Sequence, residues 1–167
     1  RHGAKIKLKN FKKINNEIRG DIYVESCKIK PIRASKKYYV NSTDEYPILF
    51  VIASLTKGVS VFKGIKELAN KESNRIKEMQ NILKQIGVKS TATRNKIKIY
   101  GKNFIESKNK KVRVPNLGDH RICMSSTILS LITGIKTKIN NFETVKTSSP
   151  NFLKIIKSLG AKFETYK

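Results

Sequence analysis

The sequence has 167 residues, 38% hydrophobic and 29% charged, enough to bury the core of one domain and unlike a disordered chain. Its longest apolar run, Pro47 to Leu55, is far too short to cross a bilayer, which takes about 20 residues. A formal net charge of +24, from 36 Lys+Arg against 12 Asp+Glu, leaves two readings open. One is a footprint for nucleic acid or another polyanion; the other is a lysine-, asparagine- and isoleucine-rich composition of the kind an AT-biased genome produces. The second is favoured, because the lysines are scattered and no aromatic residues interleave with them in a nucleic-acid-binding pattern. Cys27 and Cys123 lie far apart with no CxxC or Cys/His spacing, so neither a zinc site nor a disulfide framework is expected. No secretory pattern heads the chain, and a reducing cytoplasm is the expected compartment.

In chain order, Ile6 and Leu8 alternate with lysines, Asp21 to Val24 suits a strand, and Asn15-Asn16 marks a turn between them. Ile29 to Val40 reads as a strand-rich approach to Asp44. Pro47 suits a first helical position, and Ile48 to Leu55 is apolar nearly all round, which predicts a buried helix. Val59 and Val61 alternate with Ser60 in a short strand ending near Gly64. Ile76, Met79, Ile82, Leu83 and Ile86 fall at helical spacing, with Ser73 or Asn74 as cap and Gly87 past the end. Strands are expected around Val88–Thr93 and Lys96–Tyr100, turning at Arg94-Asn95.

Residues 101–118 read as a basic connection. A largely apolar helix then spans Ile122 to Ile132, Gly134 ends it, and Ile135 to Ile139 suits a strand. Ser149 and Pro150 read as an N-cap and first-turn proline. Phe152, Leu153, Ile155, Ile156 and Leu159 are expected to form an inner helical face, with Ala161 to Thr165 closing as a strand.

Two rounds emerge, Asp44 to Gly87 and Asp119 to Gly160, and three helix exits share one signature: Gly3-Ala4-Lys5, Gly87-Val88-Lys89 and Gly160-Ala161-Lys162. The expectation is an α/β (α+β) fold of repeated units, with unit boundaries at 1–43 (partial), 44–101 and 119–167 in a single domain incomplete at its N-terminus.

The motifs sharpen this. Asp44-Glu45-x-Pro47, then Gly58-x-Ser60-x-Phe62-x-Gly64-Ile65-x-Glu67-Leu68, then Lys71-Glu72-Ser73-Asn74-Arg75 resemble the 5-enolpyruvylshikimate-3-phosphate synthase family. Gly118-Asp119-His120-Arg121 resembles its later D-H-R element, and Ser148-Ser149-Pro150-Asn151-Phe152 its closing segment. The related UDP-N-acetylglucosamine enolpyruvyl transferases share the fold but not the pair Lys71-Glu72-Ser73-x-Arg75 and Asp119-His120-Arg121. The resemblance implies β-α-β-α-β-β units in an inverse α/β barrel-like domain, here the C-terminal one of two. It implies transfer of the carboxyvinyl group of phosphoenolpyruvate to shikimate 3-phosphate, with no metal or organic cofactor. The N-terminal domain of the same enzyme is the implied partner, and the 167-residue chain alone is expected to be inactive. Neither a specific nucleic acid nor a membrane is implied.

By the same resemblance Asp44 accepts the hydroxyl proton and Glu72 handles the proton at the methylene of phosphoenolpyruvate. Arg75 and Arg121 anchor phosphoenolpyruvate, Lys71 reaches the shikimate 3-phosphate, and His120 is a secondary contact. Read without the resemblance, Asp44 is a helix N-cap, Glu72 and Arg75 an ordinary surface pair, and His120 a packed histidine. Three departures stand out: Asn74 replaces an aspartate, Ala69 stands where arginine is common, and Ser149 replaces an aromatic. Lys146 lies one position from a lysine found in some members.

Overall fold

The computed structural model describes residues 2–107 and 110–165. Strands β1 (Lys5–Ile14) and β2 (Glu17–Glu25) form an antiparallel hairpin. Asn15 and Asn16 turn it, both with positive φ, a conformation asparagine tolerates better than most residues. β3 (Arg33–Ala34), α1 (Tyr39–Ser42), α2 (Tyr46–Ser54) and β4 (Gly58–Lys63) follow, then α3 (Arg75–Gln85), β5 (Lys89–Thr93) and β6 (Lys96–Gly101). The chain continues through β7 (Lys111–Val114), α4 (His120–Thr133), β8 (Lys136–Ile139), α5 (Thr144–Ser148) and α6 (Phe152–Ser158).

β3 runs parallel to β4, which pairs antiparallel with β6, and β5 closes the four-stranded sheet. β7 and β8 form a second parallel pair. Each parallel pair is bridged by a helix, α2 in the first and α4 in the second, so the fold is mixed α/β with β-α-β crossovers. From β3 to β6 the order is β-α-β-α-β-β, apart from the short α1 turn.

The core forms where α2 and α3 cover the four-stranded sheet and α4 packs against both helices. Tyr46, Phe50 and Phe62 meet edge to face, with Phe50 and Phe62 centroids 4.9 Å apart. Met79, Ile82, Leu83, Ile97 and Ile99 complete it, each such side chain contributing about 1.5–3 kcal/mol by leaving water. Asn74 caps α3 by accepting from Lys77 N. The exits of α3 and α6 are alike. Gly87 N donates to Lys84 O and Val88 N to Leu83 O; Gly160 N donates to Lys157 O and Ala161 N to Ile156 O. Both glycines have positive φ, so the shared Gly-small-Lys signature records one helix-ending turn used twice. Gly101 is needed for a different reason: a Cβ there would strike the main-chain oxygens of Ala53 and Thr56. Gly101→Ala should therefore cost about 1–3 kcal/mol in urea denaturation, or prevent folding.

Several expectations are corrected. The 29–40 stretch holds only the two-residue β3, then helical turns, because Lys36 to Ser42 coil towards α2. Residues 101–118 contain β7, where Val112 and Val114 are buried between exposed Lys111 and Arg113. α6 is capped at Asn151, without a side-chain bond, instead of at Ser149, which ends α5. Of the anticipated inner face of α6 only Ile156 is buried; Ile155 and Leu159 face solvent. No strand forms over residues 161–165.

Candidate active site

Three helices, α2, α3 and α4, start close together, and charged residues gather at those starts. An α-helix leaves its first N–H groups unpaired and carries a partial positive charge there, so anions are stabilised at such a place.

Asp44 and Glu45 belong to the helical turn that leads into α2. Asp44 makes no capping bond, because α2 begins two residues later with Glu45 at the cap position and Pro47 in its first turn. Its carboxylate is free to meet side chains from elsewhere. Lys71 and Glu72 lie in the bend before α3, and Arg75 is the first residue of that helix. Asp119 caps α4, its Oδ1 accepting from Arg121 N at 3.0 Å and Ile122 N at 3.3 Å. His120 and Arg121 form the first turn that follows.

Arg75 is the centre. Its side chain is only 1% exposed, which rules out an ordinary surface pair with Glu72. Nε donates to Asp119 Oδ2 at 2.9 Å and Nη1 to Asp44 Oδ1 at 3.0 Å; Nη2 donates to Glu72 Oε2 at 2.6 Å and to Asp119 Oδ1 at 3.3 Å. Asp119, fully buried, also accepts from Ser73 Oγ at 2.8 Å. Lys71 Nζ approaches Asp44 Oδ1 at 3.8 Å, and Arg121 Nη2 approaches Oδ2 at 3.9 Å. Arg121 Nη1 donates to Glu45 Oε1 at 2.9 Å, while its buried Nε has no partner among the described residues.

Thus the structure brings together Asp44, Lys71, Glu72, Arg75 and Arg121 from three separated stretches. It adds Asp119, Ser73 and Glu45. His120 is half-buried beside them, with no hydrogen bond or ion pair to the cluster among the described residues. Lys146 lies outside it, paired with Glu143 at 2.6 Å. Asp119 was legible as the start of the second round and as part of the Asp119-His120-Arg121 element, but no role was assigned to it; its place immediately before an apolar helix also suits a cap. Among the described residues no group of three or more His, Cys, Asp and Glu is placed to hold a metal ion.

Burial pushes the Asp44 carboxyl up, but the Arg75 hydrogen bond and the charges of Lys71, Arg121 and Arg75 outweigh it and hold it below the usual range. Burial likewise opposes the charge on Asp119, and the Arg75 and Ser73 hydrogen bonds more than reverse it, so this carboxyl is also depressed. Arg75, despite burial, is held above its ordinary value by Asp119 first, then Asp44 and Glu72. Both depressed carboxyls stabilise the fold fully above the ordinary carboxylate value, about 3.9, and progressively less as pH falls through their lower native values. Melting temperature should therefore fall as pH drops below about 4, and Asp119→Asn should flatten that fall.

The fold that carries this cluster is shared with enolpyruvyl transferases. The enolpyruvyl transferase NikO from Streptomyces tendae superposes with a TM-score of 0.65 over 94% of this chain, at 10% identity, which shows the shared fold alone. Two structures of EPSP synthase from Acinetobacter baumannii superpose more closely. One has a TM-score of 0.84 at 31% identity over 93% of this chain and 36% of that one; the other 0.85 at 29% over 98% and 37%. The model of the EPSP synthase (3-phosphoshikimate 1-carboxyvinyltransferase) family matches residues 3–156, and the chain belongs to that family. The 3-phosphoshikimate 1-carboxyvinyltransferase of Ruthia magnifica is 35% identical over 158 residues, 95% of this chain and 36% of that protein. That of Clostridium tetani is 35% identical over 155 residues, 93% and 35% respectively. The chain thus spans about a third of the length of these relatives.

Proposed function

We propose that the chain supplies one wall of the active site of an enzyme that joins phosphoenolpyruvate to shikimate 3-phosphate. The observation that carries this reading is the meeting of Asp44, Glu72, Arg75 and Arg121, with Lys71 beside them, at the starts of three helices. In the reaction the 5-hydroxyl oxygen of shikimate 3-phosphate bonds to C2 of phosphoenolpyruvate while the methylene gains a proton and becomes a methyl. The bond from C2 to the phosphate oxygen then breaks, the methyl returns a proton, and phosphate leaves.

Asp44 is ionised at neutral pH and half-exposed, suited to accept the hydroxyl proton. Glu72, also half-exposed, carries the proton at the methylene. Lys71 and Arg121 leave their long contacts with Asp44 to hold anionic groups, Lys71 the 3-phosphate and Arg121 phosphoenolpyruvate. A guanidinium suits the latter because it grips carboxylate or phosphate with two parallel bonds. Arg121 Nε, buried and unpartnered among the described residues, gives that grip a donor in waiting. Arg75 contacts phosphoenolpyruvate through its Nη groups, exchanging Glu72 or Asp44 for the ligand. His120 is a secondary contact.

The rest of such an enzyme is the partner. The β1–β2 hairpin supports this: Ile6, Leu8, Phe11, Ile18, Ile22 and Val24 all stand exposed. Cross-strand pairing of Ile6 with Val24 and Leu8 with Ile22 puts them on one sheet face, an apolar surface fitted to further polypeptide of the same protein.

The test replaces the matching third of the Acinetobacter baumannii EPSP synthase with this chain and follows phosphate release from the two substrates. Turnover by the hybrid and almost none by the 167-residue chain alone are expected. A folded but inactive hybrid, or turnover only with a UDP-sugar acceptor, would overturn the reading.

A further inference from the structure

Asp119 is harder to account for than its neighbours. As a helix cap it needs only one acceptor oxygen, which serine or asparagine supplies without burying a charge. Yet this carboxylate is completely buried, and both of its oxygens are used. Oδ1 accepts from the main chain of Arg121 and Ile122 and from Arg75 Nη2. Oδ2 accepts from Arg75 Nε and Ser73 Oγ. Asp44 and Glu72, the other partners of Arg75, are about half exposed. They can yield to an incoming anion; Asp119 cannot.

We propose that Asp119 is the positioning residue of the two guanidinium groups. Its carboxylate clamps Arg75 along the Nε edge, and the same group seats the first turn of α4 that carries Arg121. One buried side chain therefore sets the relation between two cations 46 residues apart in sequence. The clamp leaves the Nη side of Arg75 towards the exchangeable carboxylates, and it prevents the guanidinium from turning when those carboxylates are displaced. The proposal rests on the reading above only for the identity of the displacing anion, phosphoenolpyruvate. The clamp itself rests on geometry.

The experiment uses the 15N-labelled 167-residue chain and follows the Arg75 Nε–Hε resonance, identified by its absence in Arg75→Lys. Asp119→Ser and Asp119→Asn both retain a residue that caps helices well. In each, hydrogen exchange at Arg75 Nε should quicken by about tenfold or more, a signal that loss of a cap alone would leave unmoved. Titrated phosphoenolpyruvate should bind about tenfold more weakly to either variant than to the unaltered chain. Unchanged exchange, or faster exchange with unchanged affinity, would overturn the proposal. A chain that ignores phosphoenolpyruvate but shows slow Arg75 exchange lost in the variants supports the clamp and sinks the ligand assignment instead. Should both variants unfold, Ser73→Ala, which removes one hydrogen bond to Oδ2, decides the matter. Faster Arg75 exchange supports the clamp; unchanged exchange refutes it.

Discussion

Arg75→Met should destabilise the chain by about 3–5 kcal/mol in chemical denaturation, the largest loss expected of any change at the site. The reason lies in what it leaves behind. Arg75 is 1% exposed and Asp119 not at all, so the variant strands a carboxylate in the interior with only Ser73 and main-chain N–H groups against it. The double variant Arg75→Met/Asp119→Asn removes the stranded charge and should recover part of the loss, a coupling that a double-mutant cycle measures directly. Arg75→Lys should recover less than its retained charge suggests, since one ammonium cannot reach Asp44, Glu72 and both oxygens of Asp119 as a planar fork does. If Arg75→Met melts with the unaltered chain, the ion cluster contributes nothing to the fold.

Asp44→Asn in the hybrid enzyme should behave oppositely, sparing the fold and removing the chemistry. The side chain is 46% exposed, and asparagine matches its shape and keeps an oxygen for Arg75, so melting temperature should shift little. Asparagine cannot accept a proton at neutral pH. Turnover should fall about 10²–10⁴-fold, with a much smaller change in the apparent affinity for shikimate 3-phosphate. Turnover retained within a few-fold would exclude Asp44 as the proton acceptor. Because its neighbours hold the Asp44 carboxyl below the usual carboxylate range, the group is already ionised below neutrality, so activity should not require alkaline conditions to unmask it.

The two variants separate functions that the same cluster combines. Asp119 and the inner edge of Arg75 tie α3 to α4, whereas Asp44, Glu72, Lys71 and Arg121 sit at the accessible margin. Buried charge is costly, and it is tolerated here because every oxygen of Asp119 finds donors.

Much of this was readable from residue order because it depends on near neighbours. The spacing of Ile76, Met79, Ile82 and Leu83 marked the buried face of α3, Asn15-Asn16 marked the hairpin turn, and Gly87 and Gly160 marked two identical helix exits. The three motifs led to an expected site only through the family they resemble; residue types and spacing alone read as a helix cap, a surface pair and a packed histidine. The errors fell where burial depends on a distant surface. Ile155 and Leu159 have the periodicity of an inner face yet stand in water, because nothing among the described residues packs against that side of α6. β7 was hidden in a basic connection because its two valines matter only once β8 lies beside them. Periodicity records which face of an element is apolar, and tertiary structure alone decides which faces meet. For that reason the motifs could nominate Asp44, Lys71, Glu72, Arg75 and Arg121, but only the fold could show Asp119 closing on Arg75 across 44 residues of chain.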